Sequence, residues 1–156
     1  MKKILLLIIG LSMVFGLQNC IKKYNEFGED SIFYYLNGSP IVPTCPTMYT
    51  TNKTRVFLSN DTLRVHICGE VQIDYVINHY QGKGRYLIND ATTNTCNITE
   101  YNSLFQAINN NQTYMNVLEL DTIAKHFSAV FEADLVDATH HHLKITKGRM
   151  DVKYDY

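Results

Sequence analysis

Tryptophan is absent from this chain, and the basic residues are too few and too scattered for a nucleic-acid stripe. With 14 Lys and Arg against 15 Asp and Glu, the formal net charge is -1. Counterion release from a polyanion needs clustered cations, so nucleic-acid binding is excluded. No Cys-x-x-Cys occurs, which argues against a thioredoxin-type redox site and against a zinc knuckle. No Gly-x-Ser-x-Gly, His-Glu-x-x-His or phosphate-cradling glycine loop is present either, and a serine or metal hydrolase is not indicated. There is no internal repeat, and residues 109 to 111 form the only biased tract.

What is present is a 156-residue chain of 46% hydrophobic residues with 11 tyrosines and 7 phenylalanines. That length suits one domain with its own core. The strongest pattern lies near the C-terminus. Phe127, Ala129, Phe131, Ala133 and Leu135 alternate with Ser128, Glu132 and Asp134, with Val130 the exception. Side chains of a strand leave on alternate faces, so one face of this strand is buried. Leu143 and Ile145 begin a return strand, and Met150, Val152 and Tyr154 continue it one residue out of phase. The slip at Lys147-Gly148-Arg149 predicts a bulge at the glycine.

The same alternation predicts strands at Ser31–Leu36, 39 to 42, 54 to 58, Thr62–Ile67, 71 to 77, 85 to 89 and 114 to 120. Asn37-Gly38 and Ser59-Asn60-Asp61 supply tight turns, and Gln81-Gly82-Lys83-Gly84 another. Residues 92 to 97 read as a polar loop. Tyr101, Leu104, Phe105 and Ile108 fall at helical spacing, with Thr99 as N-cap, and predict one short helix. About eight strands with at most one helix define an all-β fold, an antiparallel sandwich or an open barrel.

The N-terminus reads as a targeting segment. Met1-Lys2-Lys3 is a basic start, and residues 4 to 15 form an apolar run too short for a comfortable membrane span. Leu17-Gln18-Asn19-Cys20 follows and resembles the lipobox of bacterial lipoproteins, with Asn19 where a small residue is usual. The resemblance implies residues 1 to 19 as a signal peptide and Cys20 as the lipidated residue. Residues 20 to 30 are then a tether and 31 to 156 a single β domain. Several acyl chains on one cysteine anchor stably, whereas one alone is marginal. Of the remaining cysteines, Cys45, Cys68 and Cys96 allow one disulfide and one odd thiol in an oxidising compartment. The spacing does not choose among the pairings.

Most of residues 31 to 156 resembles an uncharacterised family of lipid-anchored β proteins from Bacteroidales-type bacteria. The resemblance rests on Asn37-Gly38-Ser39-Pro40, Gly84-Arg85-Tyr86-Leu87-Ile88, Val117-Leu118-Glu119-Leu120-Asp121 and Phe127-Ser128-Ala129. It is most specific in Ile145-Thr146-Lys147-Gly148-Arg149-Met150-Asp151-Val152, where Met150 stands at a position usually Phe. It implies an all-β lipoprotein in the cell envelope, at the outer membrane. The tether begins with Lys22 and Lys23 rather than acidic residues, which favours the periplasmic side. The family carries no functional residues to transfer.

Several chemistries remain to be weighed. His140-His141-His142 offers His140 and His142, with Asp137 near, as weak metal ligands; consecutive residues alternate in direction, so a solvated loop is the simpler reading. Glu70 with Asp74, or Glu132 with Asp134, shares an outward strand face, where carboxylates usually meet water. Exposed Tyr34, Tyr49, Tyr80 or Tyr101 offers stacking for a sugar. Asp30-Ser31-Ile32, Asp61-Thr62-Leu63 and Asp121-Thr122-Ile123 resemble the Asp-Ser/Thr-aliphatic acceptor of Bacteroidales-type O-glycosylation, nominating Ser31, Thr62 and Thr122. A turn Asp entering a strand yields the same triplet. The expectation is a non-catalytic envelope lipoprotein without a cofactor, membrane-bound through its lipid and binding a protein or glycan. The alternative is a calycin-like barrel holding a small apolar ligand.

Overall fold

A computed structural model describes residues 31–43, 54–69, 71–88, 94–100, 103–108 and 112–154. The tether, Cys20, Cys45, Tyr49, Glu70 and Tyr101 lie outside them. Among the described residues there is no helix, and strand accounts for 71%. Eleven strands form one antiparallel sheet: β1 (Ser31–Leu36), β2 (Ser39–Ile41), β3 (Arg55–Ser59), β4 (Thr62–Ile67), β5 (Gln72–Ile77), β6 (Gly84–Leu87), β7 (Asn94–Glu100), β8 (Ser103–Ala107), β9 (Tyr114–Asp121), β10 (His126–Val136) and β11 (His142–Lys153). The sheet curls into a half-barrel.

Local chemistry explains the hairpins. Asn37 and Gly38 have φ of 48° and 84°, and Asn60 and Asp61 have 47° and 60°. Two residues at positive φ match the twist of flanking strands, and Asn, Asp and Gly tolerate that region best. Tyr86 pins the next turn: its hydroxyl donates to the Gly82 carbonyl at 2.7 Å and accepts from the Gln81 N–H at 3.0 Å.

The longest pair, β10–β11, is the hinge of the architecture. On its far side β10 pairs with β9 through residues 126 to 132 and with β8 through Leu135 and Val136. The sheet therefore forks at β10. One leaf runs β2-β1-β11-β10-β9-β6, and the other runs β8-β7-β5-β4-β3. Their inner faces meet across the core, where Phe131 lies 5.7 Å from Tyr75 and 6.1 Å from Tyr34 between ring centroids. Phe127, Met115, Ile73, Ile98 and Leu135 fill the remaining interior without solvent exposure.

Backbone groups at a fork lose their ladder partners, and a buried unpaired N–H is expensive. Thr113 repairs the loss. Fully buried, its hydroxyl accepts from the Asp134 N–H at 2.9 Å and donates to the Asp134 carbonyl at 3.1 Å. Thr113→Val is therefore expected to cost about 1–3 kcal/mol by leaving the Asp134 N–H unsatisfied, the carbonyl keeping the Ile108 N–H at 3.4 Å, with Thr113→Ser costing less. Urea denaturation midpoints of the two variants check this.

The bulge falls near the predicted place, with a different division of roles. Phe131 faces Gly148 and Ala133 faces Ile145, so Thr146 and Lys147 together oppose Glu132. Lys147 takes the left-handed conformation, at φ 53°. Gly148 is needed for space instead: a Cβ there would lie 2.5 Å from Phe131 Cε2 and 2.6 Å from the Phe131 carbonyl oxygen. Neighbouring β1 absorbs the same irregularity between Phe33 and Tyr35.

Two expectations are corrected. Residues 92 to 97 were expected to be a loop, but β7 begins at Asn94. Cys96 and Ile98 point inward while Asn97 and Thr99 face out, and that polar outer face disguised the strand. Of the helix expected over Tyr101 to Ile108, the described part Ser103–Ala107 is instead strand β8, paired to β7 with Phe105 opposite Ile98. Its helical spacing mixes buried Phe105 with Leu104, which is 53% exposed. Thr99, the expected cap, lies in β7 opposite Leu104. Tertiary pairing prevailed over a weak local signal. Added to the nine spans expected from the pattern, these two give eleven strands among the described residues.

Candidate functional site

The outer face of the first leaf carries a groove of about 330 Å³ lined by four strands and the fork. β6 supplies Arg85, β9 Tyr114, β10 Glu132 and Asp134, and β11 Lys144 and Thr146. Alternation decides their direction: Glu132 and Asp134 flank buried Ala133, and Lys144 and Thr146 flank buried Ile145. Cross-strand register places Tyr114 beside Glu132, and Lys144 beside Asp134.

The charges are held on a stiff floor. Arg85 lays its guanidinium 3.9 Å from the centroid of the Tyr114 ring, a cation–π contact that orients the planar fork. The Asp134 carboxylate is 17% exposed and lies 3.6 Å from His142 Nδ1. Among the described residues, Glu132, Arg85 and Lys144 make no side-chain ion pair within 4.0 Å. The groove thus presents two cations and a half-buried carboxylate without mutual neutralisation.

The expected site residues disperse over the molecule. Glu132 and Asp134 meet in the groove. Asp74 lies on the other leaf, paired to His66 at 2.6 Å. No group of three or more His, Cys, Asp or Glu among the described residues could hold a metal. His140, at φ 65°, is part of a turn organised by Asp137, whose carboxylate accepts from the Thr139 and His141 N–H groups at 2.9 and 2.8 Å. Desolvation opposes the ionised form of Asp137, but the Thr139 hydroxyl and those N–H groups prevail and hold its carboxyl below the ordinary value. His142 faces Asp134 instead. Tyr34, expected exposed, is 1% exposed in the core; its position in β1 faces inward. Tyr80 is half-buried against Tyr86, with centroids 5.6 Å apart.

The acceptor triplets differ in access. Ser31 is half-buried in β1 opposite Asp151. Thr62 is half-buried in β4, its hydroxyl donating to Asn78 Oδ1 at 3.3 Å. Thr122 is exposed on the β9–β10 turn, next to Ile123, which is 94% exposed. Asp121 holds that turn by accepting from the Ile123 and Ala124 N–H groups at 2.8 Å each. The N–H groups of Ala124 and Ile123 keep its carboxyl below the ordinary value.

Cysteine usage resolves in part. Among the described residues Cys68 is disulfide-bonded and Cys96 is a free thiol, fully buried. Burial pushes the Cys96 thiol up to about 12, so it stays protonated and unreactive. Opposite it on β5 is Tyr75, whose buried hydroxyl has only the weakly bonding Cys96 thiol as a side-chain partner. Burial raises the Tyr75 pKa well above its ordinary value. Tyr75→Phe removes a buried oxygen that has only this weak thiol contact and is expected to change stability by no more than about 1 kcal/mol. A thermal melt of the variant reads the sign.

Sequence reasoning missed Arg85, Tyr114, Lys144 and Thr146 as a set. Their outward phase was legible, but their convergence depends on which strands become neighbours. No family model, curated protein or solved structure matches the chain. What the geometry defines is a class: an all-β half-barrel with a packed interior and a charged groove on its outer sheet face.

Proposed function

We propose that this chain is a non-catalytic binding module of the cell envelope, tethered through lipidated Cys20 at the periplasmic side of the outer membrane. The observation that carries the binding role is the groove, where Arg85, Lys144 and Glu132 stand unneutralised on a rigid sheet. Unpaired charge on a stiff scaffold is preorganised for a partner and pays little ordering entropy on binding. The packed interior, with the Phe131 ring against both Tyr75 and Tyr34, supports an exterior site over a calycin-like internal one. The anchor is supported by the basic start, the apolar run and Leu17 to Cys20.

Capture from native envelopes tests the binding role. The wild-type domain should retain a protein or glycan that a Arg85→Gln/Glu132→Gln/Lys144→Gln variant loses; equal capture by both argues against the groove. The intact mass of protein from its own host's membranes tests the anchor. A chain starting at Cys20 plus acyl chains is expected, and a retained or differently cut N-terminus sinks that part of the reading.

Exposure also ranks the three glycan acceptors. A transferase needs an accessible, protruding hydroxyl, and the Thr122 turn provides it. Peptide mapping of native-host protein should find glycan on Thr122 ahead of Thr62 and Ser31. Modification of Thr62 with Thr122 bare would reverse the ranking.

A further inference from the structure

The mixed charge of the groove restricts what it can bind. A polyanion would meet Glu132 and Asp134, and a polycation would meet Arg85 and Lys144, so neither is favoured. A neutral sugar would look for an open aromatic platform, but one face of Tyr114 is taken by the Arg85 guanidinium at 3.9 Å. The volume of about 330 Å³ is at the small end for ligand pockets. A compact molecule bearing both signs satisfies each constraint.

The arrangement of the strands alternates the two signs across the groove. Arg85 enters from β6 at one side and Lys144 from β11 at the other, while Glu132 stands on β10 between them. Arginine held flat on a ring keeps the N–H groups along its edge for a carboxylate. Glu132 is half-buried, so an ammonium placed there is less screened than at an open surface.

Resting on the binding-module reading, we propose that the groove binds a small zwitterion of amino-acid or short-peptide type. Its carboxylate is taken by Arg85, lying on the Tyr114 ring, and its ammonium by Glu132, which stands opposite Tyr114 across the ladder.

The test is calorimetric titration of the wild-type domain with four probes: alanyl-alanine, its N-acetyl form, its C-terminal amide, and N-acetylglucosamine. Alanyl-alanine is expected to bind with a Kd of about 1 mM or tighter, and each blocked form about tenfold more weakly. Glu132→Gln should abolish the difference between the free and N-acetyl dipeptides. Arg85→Gln should abolish the difference between the free dipeptide and its amide. Thermal melts verify that both surface variants remain folded, and the blocked-probe comparison on wild type stands without them. Blocked forms that bind as tightly as the free dipeptide would overturn the proposal, as would no heat with any dipeptide up to about 10 mM. Binding of N-acetylglucosamine alone, lost in Glu132→Gln, would overturn the zwitterion assignment while keeping the groove as a binding site. Failure of the binding-module reading shows separately, as equal capture by wild-type and triple-variant domains.

Discussion

Gly148→Ala is expected to destabilise the protein by about 3 kcal/mol or more, the largest effect of any single methyl group added here. The added Cβ would meet Phe131 Cε2 at 2.5 Å, Cδ2 at 2.6 Å and the Phe131 carbonyl oxygen at 2.6 Å. Flexible side-chain ends can yield to such a clash, but this neighbour is a ring wedged in the core together with its own backbone. Retreat of Phe131 is resisted by Tyr34 and Tyr75, whose buried rings pack against it at 6.1 and 5.7 Å between centroids. The β10–β11 ladder would have to part at the position where the bulge already weakens it. Denaturant unfolding of wild type and variant measures the loss; a change below about 1 kcal/mol would show that the ring and strand move apart easily.

Phe131→Ala should cost a comparable amount, about 3–5 kcal/mol, for the opposite reason. Here material is removed from the junction of the two leaves. Phe131 is fully buried and bridges Tyr34 on β1 to Tyr75 on β5, so its loss leaves a void between packed sheets. Strand backbones fixed by ladders on both sides cannot collapse into that void, which places the cost toward the upper part of the range. Because one ring causes the Gly148 clash and fills the core, the two substitutions must couple. In a Phe131→Ala background, Gly148→Ala should cost less, since two of its three close contacts disappear. The carbonyl contact at 2.6 Å remains, so relief is partial. A double-mutant cycle reads the coupling, and strict additivity would refute the packing argument.

The sequence by itself determined the all-β class, most strand positions and the inward face of each. Alternation at Phe127 to Leu135 and at Leu63, Val65 and Ile67 is dictated by the two-residue period of a strand. Asn37-Gly38 and Asn60-Asp61 dictated tight turns because those residues accept positive φ. The phase slip near Gly148 announced a bulge for the same reason: one extra residue reverses every side chain beyond it. The proposed lipidation at Cys20 rests on local sequence alone.

Tertiary structure alone decided the rest. Strand β8 resembled a helix because four apolar residues repeat at mixed spacing, and only its seat between β7 and β10 made it extended. Thr113 is an ordinary polar residue in sequence, yet the fork gives its hydroxyl two backbone groups to satisfy. Tyr34 reads as exposed or buried with equal ease until the partner leaf covers it. The outward pair Glu132 and Asp134 was visible from alternation, but Arg85 lies 47 residues earlier in the chain. Whether Arg85 joins them depends on the order β6-β9-β10-β11. Periodicity specifies which way a side chain points; strand order specifies what it points toward, and that order is set by long-range pairing and core packing.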